Sequence, residues 1–316
     1  MRGTIVRKGS RFSQRSLLLG FACLLGVLGG CGKRAPNRLD VKTLPGLGQA
    51  RKLEPGVLFY EVAVPHIDGS PGKLWIYLPE HPSQPRLPCI LIAPAGTPLT
   101  YGMNLAEGDR PEHLPYVRAG FAVVAYEIDG NVEDDRNEQQ ILAGARAFRD
   151  AEAGIANAKR ALDYAVARVP GIDPNRIYTA GHSSAATLSL QVAEHEPRIQ
   201  ACIAYAPACS IPNRLGTRVL ATYDRAIPGF SSFVERYSPD ENVQTLHCPV
   251  FLFHADDDSN VPTVDVYNFY QVLEQFNHQV TFVRVPSGGH YDSMIQQGIP
   301  QAIRWLKSLP GNETIQ

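Results

Sequence analysis

An α/β fold built on a mostly parallel central sheet is predicted, and three observations predict it. Short apolar runs alternate along the chain with longer stretches of helical period. The later apolar runs are continuous rather than alternating in polarity, as strands buried on both faces of a parallel sheet require. The first two runs are instead joined by the turn-rich stretch His66-Ile67-Asp68-Gly69-Ser70-Pro71-Gly72, suited to an antiparallel hairpin. With 316 residues, 44% hydrophobic and 19% charged, the chain has a globular composition that excludes fibrous or disordered classes.

Eight strands are expected, near 57–64, 73–78, 88–94, 121–127, 176–180, 200–206, 249–254 and 279–285. Helices are expected over about 107–119, one long segment within 137–168, 184–195, 263–276 and 292–308, covering both faces of the sheet. The 137–168 segment is rich in Ala, Arg and Glu and is closed by Val169-Pro170-Gly171. One domain over 53–310 accounts for all of these elements, leaving 311–316 as a tail. Between 208 and 247 the rhythm breaks, and Tyr223, Phe230, Phe233 and Tyr237 are spaced by Pro and Gly. Two readings stand side by side there: a lid-like insertion over the carboxyl ends of the strands, or a packed excursion whose aromatics fill their own core.

The N-terminus reads as an address. Arg2, Arg7, Lys8, Arg11 and Arg15 precede an unbroken run of small and apolar residues, Leu17 to Leu28. That run is too short to span a bilayer, which takes about 20 residues, but suits a signal-peptide core. It ends in Leu28-Gly29-Gly30-Cys31, which resembles a bacterial lipobox and implies cleavage before Cys31 and diacylation of its thiol. The expectation is a lipoprotein-type signal over 1–30, a tether over 31–52, and a protein exported and held at the cell envelope through a membrane anchor at Cys31. Without its first 30 residues the chain carries a net charge of −6 and has no dense basic cluster, which argues against nucleic-acid partners. Cys89, Cys202, Cys209 and Cys248 show no metal-ligand spacing, and no metal or cofactor is implied. A bridge between Cys202 and Cys248, and buried free thiols, are both compatible with the sequence.

The chemistry gathers at three strand ends. The strand at 176–180 runs into Gly181-His182-Ser183-Ser184-Ala185 and then a helix. A serine on such a turn is a nucleophile elbow, although Ala185 stands where a second glycine is usual. A serine needs a base to take its proton, and the base needs a carboxylate to orient it. His254-Ala255-Asp256-Asp257-Asp258 follows the next-to-last strand, and Gly288-Gly289-His290 follows the last. Serine, acid and histidine thus fall in the expected order at one edge of the sheet. His290 is the candidate base. His66, His81, His113, His195, His247 and His278 read as solvent-facing, His254 as a structural strand end, and His182 as pointing away from the base position. Oxyanion donors are expected from the N–H of Ser184 and from Gly96 or Thr97, because Pro94 and Pro98 carry no N–H.

With these residues the sequence resembles the α/β-hydrolase superfamily. It is most similar to the catalytic domain of the prolyl oligopeptidase family and to its dienelactone-hydrolase and esterase relatives. Ile172-Asp173-Pro174-Asn175-Arg176-Ile177, Tyr237-Ser238-Pro239 and Cys248-Pro249-Val250 carry the likeness with the His254–Pro262 segment, over about 85–308. The resemblance places the catalytic acid three residues before Val261, at Asp258, with Asp256 and Asp257 left as loop charge or turn caps. It implies a serine hydrolase, Ser183-Asp258-His290, cleaving carboxylic esters or peptides through an acyl-enzyme. Relatives carry His-Gly-Gly or Tyr-Gly where this chain has Pro94-Ala95-Gly96, which weakens the peptidase reading; the alternative is an inactive envelope protein that keeps the fold as a binding module.

Overall fold

Among the described residues, nine strands form one sheet in the order β1-β2-β3-β5-β4-β6-β7-β8-β9. They are β1 (Arg51–Glu54), β2 (Val57–Ala63), β3 (Lys73–Pro79), β4 (Leu87–Ile92), β5 (Ala122–Tyr126), β6 (Ile172–His182), β7 (Ile199–Tyr205), β8 (Val250–Ala255) and β9 (Val280–Val285). The computed structural model describes residues 43–133 and 137–312. The expected signal, Cys31 and most of the tether lie outside them. β1, β2 and β3 pair antiparallel, as β3 does with β5; β5, β4, β6, β7, β8 and β9 are mutually parallel. The parallel strands are the continuous apolar runs, and β4, β5 and β8 are buried at every position.

The ninth strand, β1, begins at Arg51, within the stretch read as tether, and Leu44 is buried in the main core. Asn312, read as tail, is also fully buried. The folded body therefore extends at both ends past 53–310. Helices cover both faces. On one, α3 (Ile155–Arg168), α4 (Ser184–His195) and α8 (Thr263–Leu273) bury Leu162, Leu188, Leu190 and Leu273. On the other, α1 (Arg110–Arg118) and α9 (Ile299–Ser308) bury Tyr116, Val117 and Leu306 against Phe251 and Ile203. No helix among the described residues is long and apolar enough to cross a membrane.

The single long helix expected within 137–168 is two, α2 (Glu138–Asp150) and α3. Glu152, Ala153 and Gly154 take positive φ between them. Gly154 has φ of 93°, and a Cβ there would meet Leu188 of α4 at 3.0 Å, so the position favours glycine. The 208–247 segment folds as α5 (Ile211–Ala226), α6 (Phe230–Arg236) and α7 (Pro239–Asn242). Its aromatics follow the packed reading: Tyr223 stacks on Phe230 at 4.6 Å, and Phe233 meets Phe148 of α2 at 6.1 Å. All four described cysteines are free thiols, so Cys202 and Cys248 are not bridged.

The lead-in to β6 has a mechanical role. Arg176 pairs with Asp173 at 2.8 Å and donates to the Arg86 carbonyl at 2.6 Å, locking the start of β6 to the start of β4. At the far end of the chain, Asn312 accepts from the Tyr178 hydroxyl at 2.9 Å and donates to the Leu306 carbonyl at 2.8 Å. Replacing it leaves buried polar partners unmatched, so Asn312→Ala is expected to cost about 2 kcal/mol in urea unfolding.

Candidate active site

β6 is followed directly by Ser183, whose φ of 56° and ψ of −121° lie outside the ordinary wells of an L-residue. Such backbone costs about 1–3 kcal/mol and persists only where packing dictates it. Here β6 and α4 press together: a Cβ on Gly181 would stand 2.3 Å from the Ala185 carbonyl oxygen and 2.9 Å from its Cβ. The bare Gly181 gives the room that lets Ala185 replace the second glycine. Ser183 N–H donates to the Tyr205 carbonyl of β7 at 2.8 Å, holding the turn from the other side.

Asp258 follows β8 and His290 follows β9. Asp258 Oδ1 accepts the N–H groups of Asn260 and Val261 at 2.8 and 3.0 Å, and Oδ2 accepts His290 Nδ1 at 2.7 Å. Burial opposes the Asp258 charge, but the bonds from His290, Val261 and Asn260 prevail and hold its pKa at about 2. A carboxylate only accepts, so Nδ1 carries the proton and Nε2 is bare. That Nε2 is buried and has no hydrogen-bond partner among the described residues, so it stands unbonded to Ser183 Oγ. Unliganded sites commonly show this bond open.

The other two aspartates hold the loops. Asp257 accepts the N–H groups of Gly288 and Gly289 at 3.1 and 2.8 Å, anchoring the turn that presents His290. Asp256 is exposed and pairs with Arg284 at 2.7 Å. His254 is fully buried at the end of β8, with Nε2 donating to the Val261 carbonyl at 2.9 Å. Several histidines depart from expectation. His66, read as solvent-facing, is half-buried with Nδ1 bonded to Asp129 at 2.5 Å, and His195 is half-buried against Tyr237. His113 is buried rather than solvent-facing, packed on Tyr77, and burial lowers its pKa to about 3. His182 does not point away from the base: its ring centroid lies 4.5 Å from that of His290, and its Nε2 donates to the His290 carbonyl at 2.8 Å.

Behind His182 lies Glu112 of α1, which the sequence did not single out. Its Oε1 is 3.8 Å from His182 Nδ1. Burial, with nearby Asp109, raises the Glu112 carboxyl to about 8. Burial and the His290 ring lower His182 to about 4. Both shifts favour the uncharged form of the group. The one available signal was Glu112's place in a helix leading into strand β5.

The expected oxyanion donors come together in an unexpected arrangement. Gly96 and Thr97 N–H groups both point at Ser184 Oγ, at 2.9 and 3.0 Å. They are engaged by a side chain rather than free. Gly96 has φ of +106°, a conformation that favours glycine and lets successive N–H groups converge on one oxygen. Among the described residues no group of three His, Cys, Asp or Glu is arranged to hold a metal ion.

Residues 112–310, more than half of the chain, match the prolyl oligopeptidase family. The protein belongs to the prolyl oligopeptidase family. In solved structures the same fold recurs in an acetyl xylan esterase from Paenibacillus sp. R4, at 16% identity and a TM-score of 0.60, covering 84% of this chain and 90% of that one. It recurs in the Pyrococcus horikoshii acylaminoacyl peptidase at 17% identity and a TM-score of 0.60, covering 81% of this chain but 41% of that one. A lysophosphatidylserine lipase, ABHD12 of Danio rerio, is 28% identical over 136 residues; this chain spans 36% of its length. At this level the fold is shared.

The buried acid gives this family member a measurable signature. A carboxyl raised from 4.5 to about 8 holds its proton more tightly in the native state than in the unfolded chain, so stability falls as pH rises between those values. Glu112→Gln is expected to flatten that slope in urea midpoints taken from pH 5 to 9. The acid-side loss, from protonating Asp258 as pH falls toward 2, is expected to remain.

Proposed function

We propose that this family member is a serine hydrolase that cleaves carboxylic ester or peptide bonds through an acyl-enzyme, with Ser183 as nucleophile, His290 as base and Asp258 as orienting acid. The observation that carries the reading is the 2.7 Å bond between His290 Nδ1 and Asp258, which leaves Nε2 bare on a ring 4.5 Å from that of His182, the chain neighbour of the strained Ser183. Ser183 Oγ attacks the substrate carbonyl while His290 Nε2 takes its proton. Asp258 steadies the imidazolium, which then protonates the leaving alcohol or amine. Water, activated by the same nitrogen, hydrolyses the acyl-enzyme and restores the serine.

Among these substrates the esters are favoured. The expected loop phenol is missing at Pro94-Ala95, and the peptidase whose structure is similar is more than twice as long as the segment matched here. The acetyl xylan esterase is matched over nearly its whole length. A fluorophosphonate probe tests the assembly, because it reacts with a serine already activated. Wild type is expected to label and Ser183→Ala is not. Asp258→Asn is expected to lower kcat on short acyl esters by roughly 10³-fold or more, with Asp256→Asn within about three-fold of wild type. A folded wild type that stays unlabelled sinks the reading in favour of a binding module; amide turnover exceeding ester turnover moves it to a peptidase.

Export and anchoring at the cell envelope through Cys31 belong to the same proposal and rest on the Leu17–Leu28 run and Leu28-Gly29-Gly30-Cys31. Metabolic labelling with a tritiated fatty acid is expected to mark the full chain in a bacterial host. Cys31→Ala is expected to lose the label and leave the membrane fraction; retention of the label overturns the anchor.

A further inference from the structure

Ser184 is the first residue of α4, directly after the proposed nucleophile, and is 7% exposed. Its hydroxyl oxygen has two lone pairs and one proton. Gly96 and Thr97 N–H groups supply two donors to that oxygen, at 2.9 and 3.0 Å. The remaining O–H finds no acceptor among the described residues. A buried hydroxyl whose oxygen is fully engaged and whose proton is unspent is a donor awaiting an acceptor, since leaving such a group unmatched costs stability. The loop that satisfies it is the one expected to face the developing oxyanion, and Pro94 and Pro98 remove two other backbone donors from that loop.

We propose that the Ser184 hydroxyl is itself an oxyanion donor: it relays the two loop N–H groups and gives its own proton in a hydrogen bond to the tetrahedral intermediate, beside the Ser184 N–H. The proposal rests on the serine-hydrolase reading above and deepens it. The bond to hydrogen that breaks as the intermediate forms is that of Ser183, whose proton goes to His290 Nε2. The O–H stays on Ser184 while the negative oxygen accepts from it, and the hydrogen bond disperses charge that forms as Ser183 attacks. Two accepted N–H bonds polarise the hydroxyl and make it a stronger donor, as in any hydrogen-bonded chain. The arrangement also accounts for a loop whose N–H groups are turned onto a side chain rather than toward open space.

The test is Ser184→Ala beside Ser184→Thr, with Ser183→Ala as the blank. The readouts are steady-state hydrolysis of a short-chain p-nitrophenyl ester, affinity for a trifluoromethyl ketone that forms an oxyanion at the elbow, and melting temperature. Ser184→Ala is expected to lower kcat about 100-fold with KM little changed, and to weaken the ketone by a similar factor, as loss of one oxyanion donor does. Ser184→Thr restores a hydroxyl on the same Cβ and is expected to recover most of that loss. Turnover by Ser184→Ala equal to or faster than wild type overturns the proposal, because the hydroxyl then only plugs donors that serve the oxyanion directly. Ser184→Thr as slow as Ser184→Ala, at an unchanged melting temperature, overturns it as well. Should Ser184→Ala fail to fold, the threonine variant decides alone: near-wild-type ketone affinity supports the relay, and loss of affinity without loss of stability rejects it. Wild type that neither labels with fluorophosphonate nor binds the ketone fails the underlying reading first and takes this one with it.

Discussion

The contact on which the rest depends is the approach of β6 to α4 at Gly181 and Ala185. Ser183 sits in its strained conformation because the strand has to turn into the helix with no room for a side chain at 181. β7 completes the clamp through the Tyr205 carbonyl. Every other feature of the site is measured from that turn. His290 and Asp258 reach it because β8 and β9 are parallel to β6 and end at the same edge. Ser184 meets Gly96 and Thr97 because β4 lies next to β6 in the sheet.

Charge is managed by the same geometry. Asp258 keeps its charge despite burial because three donors converge on it. Burial, with nearby Asp109, raises the Glu112 carboxyl, and burial with the His290 ring lowers the His182 imidazole, so each is shifted toward its uncharged form. His290 thus has the Asp258 carboxylate on one side and the His182 ring on the other. Asp257 contributes by anchoring the loop rather than by facing the imidazole, which separates the roles of three consecutive acids that sequence alone leaves adjacent.

The 208–247 segment shows how a packed insertion also serves an edge. Its aromatic core joins it to α2, while Tyr223 bonds Thr100 at 3.0 Å and Arg214 bonds Asn260 at 2.7 Å. It thereby spans the loop after β4 and the loop that carries the acid. Asn260 in turn donates to Asp258, so the insertion is tied to the candidate acid through one residue.

Local pattern determined much of this protein. Runs of β-branched and apolar residues set the parallel strands, and the glycine and serine of the elbow marked the candidate nucleophile. The order of serine, acid and histidine pointed to the edge of the sheet that carries all three, and the same residues carried the family likeness. These are properties of short windows, where strand period and turn chemistry act over a few residues. What only tertiary structure decided involves partners distant in the chain. α2 and α3 are separated by a positive-φ turn over 152–154, where Gly154 packs against Leu188 of α4. β1 and Leu44 join the body, against the tether reading, because β2 and the core give them a surface to pair with and pack on. His113 is buried by Tyr77, His182 is turned toward His290 by a backbone carbonyl 108 positions away, and the loop N–H groups are claimed by a hydroxyl nearly 90 positions away. No local period encodes such contacts, because a hydrogen bond or a steric limit between distant segments exists only once the sheet has brought them together.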